Sequence, residues 1–499
     1  MKSPKKTPKK TPKKKPPKTA KKTKLKAHIR KKSSISKKTS SNTRIDDIFA
    51  DWNKDDSPGM AVAVRQNGQV VFRNGYGMAD LDHGIPNLPD TVFHAASLTK
   101  QFTAMAIMML INDANLANRP ITLNTNVHTL VPELSGITQS ITIGQMLHHI
   151  SGIRDQWTLA TMAGWRLSDD VVTRGDVMDR FVGLSTSLNF DPGNRYSYSN
   201  TNYMLAAEIV KKVSGRSLSA FCKQHIFQPL GMTKTKIIET HGEIVQDRAY
   251  GYRKTPAGDW EVRMPNYDLS GPTNLQTTVD DLMLWDANFD TMTVGGAAAL
   301  TAMQTKVPTS EDYGLGLFIR KQGAINVVEH NGRDAGYRSH LIRFPDQKLS
   351  IALLANLALP NTLATVTATL VRKVAELFLG TLLPTPTGSP PLAAMPGPTP
   401  ANLGEFTGRY HSNELDVAYT VSLNANGTAL QVTREKYPTV GLSPLIASGT
   451  FVTTMDFSVM LPRPLKFTFH REQGQIAGFS MDDLSGGDQL SNFQFEKVS

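Results

Sequence analysis

Three short stretches of the chain carry side chains that could do chemistry together. The first is Ser97-Leu-Thr-Lys100, in the segment FHAASLTKQFTAMAIMMLI. Helix-forming residues follow Ser97 at once, so the serine is expected at or near a helix N-terminus. Lys100 would then lie one turn on, on the same face. A hydroxyl is a weak nucleophile until a neighbour removes its proton. An amine can do so only when its pKa is lowered, and burial against Phe102, Met105 and Met109 would lower that of Lys100. The helix start also offers backbone N–H groups to a developing negative charge. The spacing alone is unspecific, since Ser3-x-x-Lys6 and Ser34-x-x-Lys37 occur without such a context.

The second stretch is Tyr198-Ser-Asn200, inside PGNRYSYSNTNYMLAAEIV. The turn at Pro192-Gly193 and the apolar run after Asn202 place Tyr198 and Asn200 on a loop just before a helix. A phenol beside an ammonium is stabilised as phenolate, which would make Tyr198 a proton shuttle. Asn200 offers a donor and an acceptor, to substrate and to Lys100. The third stretch is His330-Asn-Gly332-Arg333, expected at the end of one strand and before another. Gly332 would permit close approach by a substrate, and the Arg333 backbone N–H would complete an oxyanion hole. His148 and His149 are adjacent and so point to different sides, which argues for a structural role beside Ser151-Gly152 over shared metal ligation.

The order Ser-x-x-Lys, Tyr-x-Asn, His-x-Gly, with 101 and 132 residues between the serine, tyrosine and histidine, is specific. It resembles the penicillin-recognising serine hydrolases: class C β-lactamases, the related esterases and D-aminopeptidases, and the low-molecular-mass penicillin-binding proteins. Ile141-Thr-Ile-Gly-Gln-Met-Leu-His-His149-Ile-Ser151-Gly152, Asp191-Pro-Gly193 and Thr277-Thr-Val-Asp-Asp-Leu282 are similar to further stretches of that family. The resemblance implies Ser97 as acylated nucleophile, Lys100 and Tyr198 as the general-base pair, and Asn200 as a substrate-orienting residue. It also implies an oxyanion hole of the Ser97 and Arg333 N–H groups. His330 stands where β-lactamases and penicillin-binding proteins usually have a lysine, whose fixed charge meets a substrate carboxylate. A neutral histidine supplies no such charge. The implied activity is therefore hydrolysis of an ester, amide or D-amino-acid peptide bond through an acyl-enzyme, with weak or no β-lactamase activity and no cofactor or metal. The competing reading is a catalytically silent scaffold on the same fold, tethered to polyanions by a basic tail.

The elements that must position these residues are legible in outline. Met60–Arg65 and Val70–Gly75 flank Asn67-Gly68, a hairpin signal. Ala324–Glu329, Tyr337–Phe344 and Leu349–Leu357 read as strands. Helices are expected over Ser97–Asp113, Asn202–Ser214, Ser219–Gln228, Thr278–Asn288 and Thr362–Leu379. Strands at both ends with helices between predict an α+β fold: an antiparallel sheet flanked by helices, with a helical subdomain. By resemblance this is the β-lactamase/transpeptidase-like fold, over residues 45–383. Residues 384–400 hold seven prolines in seventeen positions and read as a semi-stiff linker. Residues 401–499 alternate apolar and polar between Gly-containing turns, which predicts a small all-β barrel of eight or so strands. That barrel resembles the lipocalin-like domains appended to some of these hydrolases.

Charge and composition set the remaining bounds. The 499 residues carry a formal net charge of +12, but residues 1–44 hold 19 basic side chains and no acidic one. The rest has 36 basic against 43 acidic residues, so the basicity belongs to a Lys/Pro-rich tail too polar to order itself. Non-specific polyanion contact is a fitting role for that tail, whereas a basic globular nucleic-acid-binding surface is excluded. The single Cys222 forms no intrachain disulfide and reads as a packing residue. The start has no apolar core of a secretory signal and no run is long enough to span a membrane. A cytoplasmic location is the default expectation, or an extracytoplasmic one should the start site be misassigned.

Overall fold

The computed structural model describes residues 40–498, apart from 135, 138, 168, 184–186, 359–362, 385–396, 398, 435–437, 446–448, 456–462 and 485–489. Most of the tail and of the Pro-rich linker therefore lies outside the described residues. The hairpin Met60–Gln66/Gln69–Tyr76 turns on Asn67 and Gly68, with φ of +50° and +83°. Left-handed conformations at both central residues give the turn twist that matches the strands. This hairpin joins four strands from the far end of the domain into one antiparallel sheet. Its order is Phe318–Gln322, Ile325–Asp334, Tyr337–Phe344, Leu349–Ala355, Met60–Gln66, Gln69–Tyr76.

Side chains alternate across a strand, and this sheet uses both faces. Met60, Val62, Val64, Ile351 and Leu353 pack with the helices Ser40–Ile48 and Leu363–Leu379, through Ile45, Leu370, Val371 and Val374. Ala61, Ala63, Ala352 and Leu354 face the other way, into the helical layer. The small alanines let the helix Val279–Thr291 pack onto the strands Met60–Gln66 and Leu349–Ala355. Each large apolar side chain so buried contributes about 1.5–3 kcal/mol. The helical layer is built on Thr99–Asn112 against Asn200–Ser214. Gly408–Ser412 through Phe493–Lys497 close an eight-stranded antiparallel barrel, filled by side chains such as Phe451, Phe467, Phe479 and Phe495. Its apolar core is continuous with that of the helical layer.

Several element bounds differ from the sequence reading. The strand expected to stop at Glu329 runs to Asp334, so His330, Gly332 and Arg333 lie within a strand rather than at its end. Pairing with Tyr337–Phe344 continues through Asp334↔Tyr337 and holds this segment extended. The helix after the tyrosine loop starts at Asn200, not Asn202, because Asp155 accepts its first N–H. The helix Ser40–Ile48 begins inside the segment read as tail. Ser219–Gln228 is a helix broken by a π-turn at Lys223–Phe227. Cys222 is buried, and burial pushes its thiol pKa up. Among the described residues no helix is long and apolar enough to cross a membrane.

Candidate active site

Ser97 sits in a 3-10 turn, Ala96–Leu98, immediately before the helix Thr99–Asn112. Ala96 has a φ of +49°, a left-handed conformation that costs a residue with a Cβ roughly 1–3 kcal/mol. Side chains hold the turn there: Thr99 Oγ1 donates to Ala96 O at 2.6 Å, and Ser339 Oγ donates to Ala95 O at 2.7 Å. The effect is to present the Ser97 hydroxyl to Lys100, one turn on.

Lys100 is fully buried. Its Nζ lies 3.0 Å from Ser97 Oγ, 2.8 Å from Asn200 Oδ1 and 2.9 Å from the Pro272 carbonyl. Burial lowers its pKa to about 7, against the pull of Asp155 and Asp334. The amide oxygen and the carbonyl can only accept, so they take two N–H bonds of the amine. The third position on nitrogen faces the serine. A neutral amine presents its lone pair there and can take the hydroxyl proton. The groups around the ammonium are not those expected. Phe102 packs on Phe227 and Trp285, and Met105 lies against Gly295. The rings of Tyr198 and Tyr203, 4.8 and 5.7 Å away, desolvate Nζ instead.

Asn200 is oriented by a residue that the sequence reading did not single out. Asp155 is fully buried and caps the helix Gln156–Met162, its Oδ1 accepting from the N–H groups of Trp157 and Thr158. Its Oδ2 accepts from the Asn200 backbone N–H at 2.7 Å and from Asn200 Nδ2 at 2.8 Å. A carboxylate can only accept, so the amide NH2 must face Asp155 and the amide oxygen must face Lys100. The N-cap pattern before Gln156 was a readable signal. Its reach to Asn200 was not.

Tyr198 is hydrogen-bonded to Ser97 and enclosed by rings. Burial pushes its pKa up, Asp155 adds to this, and the Ser97 hydrogen bond opposes it. The resting side chain is thus a neutral phenol, not the phenolate suggested by an ammonium neighbour. Desolvation of the phenol is the largest effect on it, although Lys100 Nζ lies 4.8 Å from the ring centroid.

His330 and Gly332 share the strand face that meets the Ser97 turn. A methyl group on Gly332 would lie 2.2 Å from Ser339 Oγ, 2.5 Å from Ala95 O and 3.0 Å from Ala96 Cβ. The close approach seen at this glycine is that of Ser339 and of the turn that carries Ser97. His330 is almost fully buried, with Nε2 3.0 Å from Tyr313 Oη and Nδ1 2.6 Å from Asn331 O. Burial first, then Lys100, lowers its pKa to about 3, so it is neutral. Arg333, half exposed, follows on the same strand opposite Arg338. One residue further, buried Asp334 pairs with His94 at 2.9 Å and accepts from Thr273 Oγ1. His149, at φ +59°, accepts on Nδ1 from the Ser199 N–H and stacks 4.3 Å from Tyr198. His148 Nδ1 lies 3.3 Å from Tyr313 O. Both histidines are packing residues around the tyrosine loop.

Ser97, Lys100, Tyr198 and Asn200 thus meet at the junction of the sheet and the helical layer. The chain matches the Beta-lactamase family over residues 45–376 and belongs to it. A D-aminopeptidase from Gluconobacter oxydans is 29% identical over 60% of this chain and 56% of its own length. The chain thus spans little more than half of that curated relative. The crystal structure of SurE overlays with a TM-score of 0.58 at 23% identity, over 92% of this chain and 98% of SurE. D-amino acid amidase from Ochrobactrum anthropi SV3, complexed with L-phenylalanine amide, overlays with a TM-score of 0.57 at 22% identity, over 68% and 98%. Relatives of both kinds share the β-lactamase/transpeptidase-like architecture with this chain.

Proposed function

We propose that the protein is a serine hydrolase that forms an acyl-enzyme on Ser97 from an ester, an amide or a D-amino-acid peptide bond, with weak or no β-lactamase activity. The observation that carries this reading is the buried Lys100 amine, held by two obligate acceptors with its remaining position on Ser97 Oγ. The neutral amine takes the hydroxyl proton as Oγ bonds to the substrate carbonyl carbon. The oxyanion is held by the backbone N–H groups of Ser97 and Arg333. The proton then passes from Lys100 through Tyr198 to the leaving amine or alcohol as its bond to carbon breaks. Water, deprotonated by the same pair, releases the acid and restores the hydroxyl. Base catalysis supplies about 10²–10⁴-fold, and each oxyanion donor about 10²–10³-fold.

D-aminoacyl substrates are supported by the kinship with a D-aminopeptidase. Poor β-lactam turnover is supported by the neutral, fully engaged His330. The test is a fluorophosphonate probe with intact-mass detection, followed by p-nitrophenyl esters, D-aminoacyl anilides and nitrocefin. A Ser97-dependent adduct with turnover of the first two classes is expected. No adduct on folded protein refutes the reading. Salt-sensitive polyanion contact by residues 1–44 is a separate proposal, and unchanged heparin retention after their removal overturns it.

A further inference from the structure

The barrel does not merely hang on the hydrolase domain. Several of its contacts converge on one buried cation, Arg154, 3% exposed, which immediately precedes Asp155. From the barrel, Glu414 Oε1 lies 3.0 Å from Arg154 Nε, the Ser491 carbonyl accepts from Nη1 at 3.1 Å, and the Phe493 ring lies 5.1 Å from the guanidinium. From the hydrolase side, Ser187 Oγ and Asn189 Oδ1 accept from Nη2 and Nη1 at 2.9 and 3.3 Å. The Ser491 N–H also donates to Asn189 Oδ1 at 3.0 Å, and Arg195, three residues before Tyr198, donates to Ser491 Oγ at 3.2 Å. A buried guanidinium is costly unless paired, and here its only carboxylate partner among the described residues comes from the barrel.

The backbone around Arg154 is the backbone of the site. Its carbonyl accepts from Thr201 Oγ1 at 2.8 Å, and the next two residues carry Asp155 Oδ2 to Asn200 and the Gln156 N–H to Thr201. We propose that Arg154 is a positioning residue through which barrel residues Glu414 and Ser491 hold the Asp155–Asn200–Lys100 relay in place, so that the site is complete only with the barrel docked. The barrel thus acts on the reaction from behind the relay. This inference rests on the reading of Lys100 as the base.

Misplacement of a catalytic group by even about 1 Å costs about 10²-fold. In the full chain, Glu414→Gln is expected to lower kcat for p-nitrophenyl acetate roughly 10- to 100-fold while KM changes less than about twofold, the mark of lost transition-state alignment. Glu414→Asp is expected to restore most of kcat. Tyr419→Phe, which removes a separate barrel contact to the Met162 carbonyl, is expected to lower Tm and leave kcat alone. Hydrogen–deuterium exchange supplies a readout independent of turnover: amides in 198–203 are expected to exchange faster in Glu414→Gln and to match the parent in Tyr419→Phe. Should Glu414→Gln not fold, Arg154→Lys, which keeps the charge and loses the fork, makes the same comparison. The proposal is overturned if Glu414→Gln behaves as Tyr419→Phe does, with a lower Tm but unchanged kcat and exchange. A parent protein that forms no fluorophosphonate adduct would refute the hydrolase reading instead, and the exchange result would still support or overturn the positioning role.

Discussion

Two aromatic clusters in this protein are built from similar rings and put to opposite use. In the barrel, Tyr410, Phe451, Phe467, Phe469, Phe479 and Phe495 pack ring on ring, with Phe479 and Phe495 stacked at 4.7 Å. In the cleft, Tyr196, Tyr198, Tyr203, Tyr313, His149 and His330 pack as tightly, with His149 and Tyr313 4.7 Å apart. The barrel rings enclose more apolar surface, with the Tyr410 hydroxyl donating to the Phe406 carbonyl. The cleft rings enclose an amine. Excluding water there destabilises the ammonium and brings the Lys100 pKa to about 7. Burial is the same physical event in both places; what differs is whether an amine sits inside.

The comparison is broken or sharpened by removing one component at a time. Ser97→Ala is expected to abolish the fluorophosphonate adduct and lower kcat/KM more than about 10⁴-fold, read by intact mass and ester hydrolysis. Tyr198→Phe keeps the ring and removes only the hydroxyl. It is expected to cost about 10²–10⁴-fold in kcat with little change in Tm. Asp155→Asn frees the Asn200 amide to flip and is expected to cost about tenfold or more in kcat, since the reaction depends on aligned groups. In the barrel the pattern inverts: Phe479→Ala is expected to cost about 3–5 kcal/mol in denaturant unfolding, while kcat per folded molecule stays within a few fold. A Tyr198→Phe protein that loses stability and keeps its rate would erase the distinction.

What could be read from the amino-acid order follows the same division. Ser97, Lys100, Tyr198 and Asn200 could be singled out because the order of their short stretches resembles a known family, and the barrel because its apolar residues alternate. The groups that tune them were not. Asp155 meets Asn200 across forty-five residues, a pairing no local pattern encodes. The Pro272 carbonyl that accepts a Lys100 N–H is backbone and has no residue-type signal. Phe102 and Met105 share Lys100's helix and are buried, but they face away from Nζ. Proximity along the chain suggested the wrong side chains, and the right ones came from the tyrosine loop and the helix that follows it. The phenolate expectation failed for a related reason: it weighed the ammonium and not the desolvation of the phenol itself. Gly332 was recognised as a place of close approach, which Ser339 and the turn that carries Ser97 make.

The central claim is that Lys100 is a neutral amine when it takes the Ser97 proton, and the pH dependence of acylation addresses it directly. A protonated lysine cannot accept, so the second-order rate of fluorophosphonate labelling must fall as pH drops through the Lys100 pKa and level off above it. Half-maximal labelling near pH 7 is expected, from the pKa of about 7 that burial imposes. A rate that keeps climbing tenfold per pH unit to pH 9 and beyond, as for a lysine of ordinary pKa, would contradict the account.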